Sequence, residues 1–561
     1  MAICALLVTA GIGYALYKFA NPSPMIFEAG KTTRITTTGR VKLAAISPDS
    51  KLIVYSQEEN GEQQSLWMRH ITSESSVQIA PSLSVEYRGL NISPDGNSLY
   101  YIVGQGSLYQ MPVLGGAAKK IADGLYNSSA VSNIGISPDS KQIAFVRRFE
   151  KEASALFIVN ADGTNEQILA AFEQPVRLFQ SVAWSPDGKV IACNELINGK
   201  PNVLAVQVAD GRSAPILAQN WNSIVQIAWM PDSKSLLMVE VTGRTSQVFY
   251  PSGEMRQNII DTSYIYGTGL ASNGRFLAVV KTERVAHIWA MPDSSDANRA
   301  KQLTAGFEKI DGAAGLNWMP DGKILYNSYV DFGETWAVDA KDGNSKQISK
   351  VGYYQTVSPD GRFVVYQKVA TNGSVGLWQM DISDGREKQV TNRIDTFSTF
   401  SPDGKYLIFT RFGERVGLWK MPSAGGEPTL VLDENAICPA VSPDGKTIAF
   451  ILRRAGETNR IALVSFDGGE ITKTFDAKLQ RNMTDKQNLQ WTADGRGIYF
   501  VALNDGVSNI RRQPIDGSAP VQVTNFKDGR IFNFAFSPDE SQLALSRGTI
   551  NSDVVLIENA K

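Results

Sequence analysis

Apolar and polar residues alternate in short runs along most of this chain, and a turn-forming cluster closes each run. The stretch Phe400-Ser401-Pro402-Asp403-Gly404-Lys405-Tyr406-Leu407-Ile408-Phe409 shows the pattern in full. Proline presets φ at the second turn position, aspartate bonds forward to backbone N–H groups, and glycine accepts positive φ. The stretch therefore predicts a β-hairpin. Further strand signals follow at Leu418-Trp419-Lys420-Met421 and Thr429-Leu430-Val431-Leu432. Four strands make one unit.

That unit recurs. Its turn aspartates are Asp49, Asp95, Asp139, Asp187, Asp232, Asp321, Asp360, Asp403, Asp444, Asp494 and Asp539, and Ser272-Asn273-Gly274 fills one more slot. Successive copies lie 39 to 50 residues apart, which gives twelve repeats. Third strands recur at Leu66-Trp67, Leu108-Tyr109, Leu156-Phe157, Ile288-Trp289 and Leu377-Trp378. Asp-Gly hairpin turns recur at Asp162-Gly163, Asp384-Gly385, Asp467-Gly468 and Asp516-Gly517.

A period of this length, dense in strands and almost free of helical spacing, predicts an all-β fold of propeller blades. A blade apolar on both faces cannot stand alone and stacks into a closed ring. Rings commonly hold about four to eight blades. Twelve blades then predict two β-propellers, most simply six and six, over residues 33–310 and 311–561. The last repeat stops before a fourth strand. Thr33-Arg34-Ile35-Thr36-Thr37 resembles the missing strand and is expected beside Val554 to Ile557, where it would remove an exposed edge.

Residues 2–20 read differently. The apolar run from Ala2 to Tyr17 comes near the lower limit of about 17 residues for a membrane span, and no basic residue precedes it as a secretory signal requires. The expectation is an N-terminal transmembrane anchor helix over residues 1–20, then a linker over 21–32. The propellers of such a single-pass membrane protein would lie in the periplasm or outside.

Composition narrows the chemistry. A net charge of -1 argues against nucleic-acid binding as the main business of the chain. Three cysteines far apart and two histidines give no disulfide framework and no zinc spacing. There is no calcium loop, no Gly-x-Ser-x-Gly elbow and no Walker-type phosphate loop. Turn geometry accounts for the repeated aspartates. The expectation is no catalytic residue, no metal, no cofactor and no enzyme.

The Ser-Pro-Asp-Gly hairpins resemble the TolB-type propeller repeat, a relative of the WD-repeat blade, from Arg34 to Lys561. One span followed by such blades resembles the sensory half of membrane-anchored CadC-like winged-helix regulators and of propeller-bearing bacterial Ser/Thr kinases. Gln64 to Arg69, Tyr87-Arg88-Gly89-Leu90 and Leu114-Gly115-Gly116 carry that second likeness. It implies a non-enzymatic extracytoplasmic sensor or scaffold that binds a ligand or a protein. No residue matches the DNA-binding or kinase modules, so neither activity carries over. Prolyl-oligopeptidase-like and tricorn-like proteases also bear such propellers, beside a separate catalytic domain. The alternative is therefore an accessory propeller of a peptidase or hydrolase system.

The loops between blades are rich in tyrosine, tryptophan and arginine, the residues enriched in binding hot spots. The candidates are Tyr87 with Arg88, Tyr126, Arg177 with Phe179, Trp221, Tyr264 with Tyr266, Tyr353 with Tyr354, Arg393 with Phe397, and Phe526 with Arg530 and Phe532. The expected partner on this face is a protein, a peptide or a small ligand, and the bland alternative is that these rings pack between blades.

Overall fold

The structure is a computed structural model. It describes residues 23–561 apart from 60–62, 84–85, 105, 126–133, 150–152, 174–175, 198–199, 217–223, 241–244, 261–264, 271–273, 293–295, 307–308, 330–332, 351, 370–374, 414–415, 455–457, 478 and 480–488. Among the described residues the one helical element is the short turn Ala297–Arg299. Nine sheets hold four strands each, and a tenth holds ten. In the repeat around Asp403 the strands are Asp395–Phe400, Tyr406–Arg411, Gly417–Pro422 and Thr429–Leu432, paired antiparallel in chain order.

The alternation in the sequence becomes two buried faces. Leu407 and Phe409 pack with Val365 and Leu377 of the preceding sheet. Ile408 packs with Phe450 and Ala462 of the following sheet. Burying one such side chain fully stabilises by about 1.5–3 kcal/mol. Tryptophans at the ends of first strands pin neighbouring sheets through indole N–H bonds to carbonyls. Trp229 reaches Ala183 O at 3.0 Å, Trp491 reaches Ala440 O at 3.0 Å, and Trp318 reaches Ala535 O at 2.8 Å.

The hairpin turn contains a part that the sequence reading omits. Asp403 Oδ1 accepts from Lys405 N–H at 3.1 Å, and Gly404 holds φ at 72°, as its turn position requires. The serine is equally engaged: Ser401 Oγ donates to Asp403 Oδ1 at 2.6 Å and accepts from Tyr406 N–H at 3.0 Å. The same serine–aspartate bond recurs at Asp49, Asp139, Asp187, Asp444 and Asp539. Where the triplet reads Thr492-Ala493-Asp494, the threonine hydroxyl takes the same role. The Ser272-Asn273 slot lies outside the described residues.

The chain divides into two compact units, Met1–Thr282 with Asn551–Lys561, and Glu283–Ile550. It passes between them twice, where the sequence suggested one divide. The cause is a pair of long strands, Phe276–Met291 and Leu543–Asn559.

In the first unit, strand Ile265–Leu270 pairs with the first half of Phe276–Met291, from Leu270 opposite Leu277 to Ile265 opposite Lys281. Leu277 and Val279 pack with Val555 and Ile557. Strand Ala29–Arg34 completes that edge, with Thr33 opposite Leu556 and Arg34 opposite Val555, and Ile35 N–H bonds Val554 O at 2.8 Å. The N-terminal strand therefore lies beside Val554 to Ile557 as its residues suggest. Its sheet, however, is the one begun by the sixth repeat, and not the one begun by the twelfth.

In the second unit, Arg530–Phe536 pairs with the first half of Leu543–Asn559. The second half of Phe276–Met291 belongs to that unit too: Trp289 lies opposite Gln302, and Met291 packs with Leu543 and Leu545. The sixth and twelfth repeats thus exchange their outer halves. Within each unit the first sheet also neighbours the last, Val41–Ile46 beside Ile265–Leu270 and Ile310–Trp318 beside Arg530–Phe536.

The expected membrane anchor is corrected. Among the described residues no helix is long and apolar enough to cross a membrane. The stretch that carried the expectation, residues 2–20, lies outside the described residues. The single-pass placement with periplasmic propellers, and membrane contact through residues 2–20, are dropped with it.

Two measurements check the fold. A Cβ on Gly548 would sit 1.8 Å from Val285 O, whereas one on Gly322 would meet nothing within 4 Å. Gly548→Ala should cost about 3 kcal/mol in urea unfolding, and Gly322→Ala only the backbone strain of about 1 kcal/mol. Separately, bonds from Ser401 hold the Asp403 carboxyl below its usual value, as Ser442 does for Asp444, and Asp539 is held down to about 2 by Ser537 and Ser541. A depressed carboxyl stabilises the fold above its unfolded value of 3.8, and the contribution is lost as pH falls toward 2. The melting temperature should hold steady above about pH 5 and drop below about pH 4.

Candidate functional site

The richest loop surface in the second unit surrounds the connection 390–394, which joins strand Glu387–Gln389 to strand Asp395–Phe400. On one flank, first strands carry a bulge with one residue in the left-handed region. Those residues are Gly312 at φ 79°, Tyr354 at 55°, Phe397 at 50° and Cys438 at 55°. Each sits inside a register shift of its strand. Glycine adopts this geometry freely, but for tyrosine and phenylalanine it stores strain of the order of 1–3 kcal/mol. The strain re-aims rings: Tyr354 lies 4.6 Å from Phe397 and 6.4 Å from Tyr353, centroid to centroid.

The other flank is a cavity of about 680 Å³ lined by Gln389, Val390, Thr391, Asn392, Arg393, Arg411, Trp419, Gly426, Glu427 and Pro428. That size falls in the range of about 300–1,000 Å³ usual for small-ligand pockets. Arg411 comes from the end of strand Tyr406–Arg411, on the same face as Leu407 and Phe409. Its side chain is therefore carried into the core and is only 7% exposed. Asp395, fully buried, answers that charge. Arg411 Nε donates to Asp395 Oδ1 at 2.7 Å and Nη2 to Oδ2 at 2.8 Å. The guanidinium also stacks 4.5 Å over the Trp419 ring. A planar, bidentate, ring-stacked arginine is held in one orientation.

The motif of a cation over a third-strand ring occurs in other sheets, with a different outcome. Arg147 lies 4.7 Å over Phe157, and its three nitrogens are all engaged, Nε by Asp123 O and the other two by Glu166. Lys368 lies 4.7 Å over Trp378 with its ammonium on Glu387. In both, the acid comes from the outer strand side. Around Asp395 the acid comes from the first strand instead, and the arginine lines a cavity.

The sequence-derived candidates separate into three groups. Tyr353, Tyr354 and Phe397 come together as a ring cluster, and Arg393 lies exposed on the cavity lining. Tyr87, Phe526 and Phe532 are buried in their sheets instead. Tyr87 packs edge-on to Tyr101 at 5.6 Å, and its burial pushes the phenol well up. Phe526 lies beneath the Arg547 guanidinium at 4.4 Å. Arg88 pairs with Glu86 at 2.9 Å, and Arg530 is half-buried at the start of its strand. Arg177 and Phe179 lie in strand Val176–Trp184 and Tyr266 in strand Ile265–Leu270. Tyr126, Trp221 and Tyr264 lie outside the described residues.

The sequence reading did not single out Asp395 and Arg411. A signal existed: an arginine at the third position of the apolar face Leu407, Phe409, Arg411 demands a buried partner.

No known protein-family profile matches the chain. It is 23% identical over 311 residues to dipeptidyl-peptidase 5 of Porphyromonas gingivalis, across 50% of this chain and 44% of that protein. The chain thus spans less than half the length of that curated relative. Among solved structures, TolB from Acinetobacter baumannii superposes with a TM-score of 0.35 and 16% identity, covering 59% of this chain and 80% of that one. The tricorn protease gives 0.30 and 12%, covering 92% and 61%. The repeated four-stranded sheets are those of a propeller repeat protein, with a dipeptidyl-peptidase as a distant relative.

Removing one partner of the buried pair leaves the other charge uncompensated. Asp395→Ala should cost about 3–5 kcal/mol in urea unfolding, and Arg393→Ala, exposed and outside any ion pair, less than about 0.5 kcal/mol.

Proposed function

We propose that this chain is a binding scaffold that works beside a peptidase or related hydrolase and holds peptide or protein ligands on its inter-blade loop face. One observation carries the reading, the 311-residue similarity to a dipeptidyl-peptidase. The sensor reading rested on a membrane anchor, so it loses its main support. The surface around 390–394 suits the scaffold role, because strained aromatic rings and a fixed arginine are preorganised contacts that lose little freedom on binding. Cys193 is a poor nucleophile: it is buried, and that burial pushes its thiol well up, away from the reactive thiolate. Tyr353, Tyr354 and Arg393 are the proposed contact residues, with Arg88 and Arg530 as further members of the loop face.

The finer architecture belongs to the same proposal. The ten-stranded sheet resolves into three sets of four strands when its long strands are divided at the unit boundaries, with some strands shared between sets. With the nine others this gives twelve blades, six in each unit, and two propellers.

The test is direct. The purified chain, incubated with chromogenic dipeptidyl substrates, should show no turnover above buffer. A mixed peptide library should be retained by the native chain and released by the triple variant Tyr353→Ala, Tyr354→Ala, Arg393→Ala, whose circular dichroism should be unchanged. Turnover by the isolated chain, or equal retention by the variant, contradicts the reading.

A further inference from the structure

We propose that the cavity beside Arg411 is a carboxylate-binding site and that it takes the carboxylate of a peptide. The word peptide rests on the scaffold reading above; the carboxylate chemistry stands on the geometry.

Two arginine donors line this cavity, beside a buried indole. Arg411 is fixed by its bonds to Asp395 through Nε and Nη2, which leaves Nη1 as its remaining donor group on a residue that lines the cavity. The Trp419 indole N–H is buried and has no hydrogen-bond partner. Arg393 is exposed at the rim, and no described side chain pairs with it.

Two other polar lining groups are already engaged. Gln389 Nε2 donates to Thr391 O at 3.0 Å, and Thr391 Oγ1 accepts from Leu377 N–H at 3.0 Å. Among the described lining residues Glu427, which is exposed, is the one carboxylate.

Charge selects among anions. Asp395, behind the lining, offsets Arg411, and Glu427 offsets Arg393, so these four groups together carry no net formal charge. Such a lining offers directed donors and little field, which suits a singly charged carboxylate with its two oxygens in one plane. A doubly charged phosphate would want unneutralised cations. The rings of Tyr353, Tyr354 and Phe397, the last two on strained backbone, would cover the apolar part of a peptide whose acid end sits on Arg411.

The experiment uses the full chain with fluorotryptophan in place of tryptophan, read by fluorine NMR, with Trp419→Phe assigning the Trp419 resonance. Acetyl-trialanine as the free acid, the same peptide as its amide, and inorganic phosphate are titrated in turn. The free acid should shift the Trp419 resonance in a saturable way, and the amide and phosphate should not. Arg393→Ala should weaken the acid by about tenfold, as the loss of a charge-assisted hydrogen bond predicts. The fold of that variant is checked by its other tryptophan resonances. An equal response to the amide, a response to phosphate alone, or no response to any of the three overturns the proposal. None of these results bears on whether the chain works beside a hydrolase, which the turnover and library assays address.

Discussion

A sheet that is apolar on both faces must be covered on both faces, and every other feature of this protein follows from that requirement. Stacking covers each interior sheet by its neighbours, as Leu407 and Ile408 show by facing opposite ways. The difficulty falls on the first and last sheets of each unit. In each unit the first sheet lies beside the last, and that last sheet is completed by exchanged strands. Phe276–Met291 gives its first half to one unit and its second half to the other, and Leu543–Asn559 does the reverse. The strand Ala29–Arg34 then covers an edge that would otherwise offer unpaired N–H and C=O groups. Residues more than 500 positions apart, such as Thr36 and Asp553, are bonded as a result.

Much of this could be read from the residues. Turn chemistry announced every hairpin whose residues are described, because proline, aspartate and glycine each have a specific backbone task there. The role of the serine hydroxyl, which ties Ser401 to both Asp403 and Tyr406, could have been inferred from its repetition and was not. Even the pairing of Ile35 with Val554 was legible, since a missing strand at one end and a spare one at the other define a match. The exchange between the sixth and twelfth repeats was not legible. A strand that continues straight into a second sheet has the same alternation as one that stops, and nothing at Thr282 or Ile550 marks the boundary.

The site was legible only in part, for a similar reason. Tyr353, Tyr354 and Arg393 stand out by composition. Their left-handed bulges do not, because only Gly312 among the four equivalent positions advertises positive φ. Tyr87 and Phe532 have the same composition and pack inside, since a ring on an inward-facing strand position is buried regardless of its value for binding, and Phe526 is buried from the connection before Arg530–Phe536. The pair Asp395 and Arg411 shows the complementary case. A charge on an apolar face costs stability unless answered, and the answer here fixes an arginine beside a cavity.

Amide hydrogen exchange tests the strand exchange most directly. Amides of Thr33 and Ile35, which face the neighbouring strand, should be protected, and Leu277 to Val280 and Val554 to Ile557 should share that protection, because all three stretches pair in one sheet. Exchange of Thr33 and Ile35 at the rate of an unpaired terminus, with 277–280 still protected, would contradict the account.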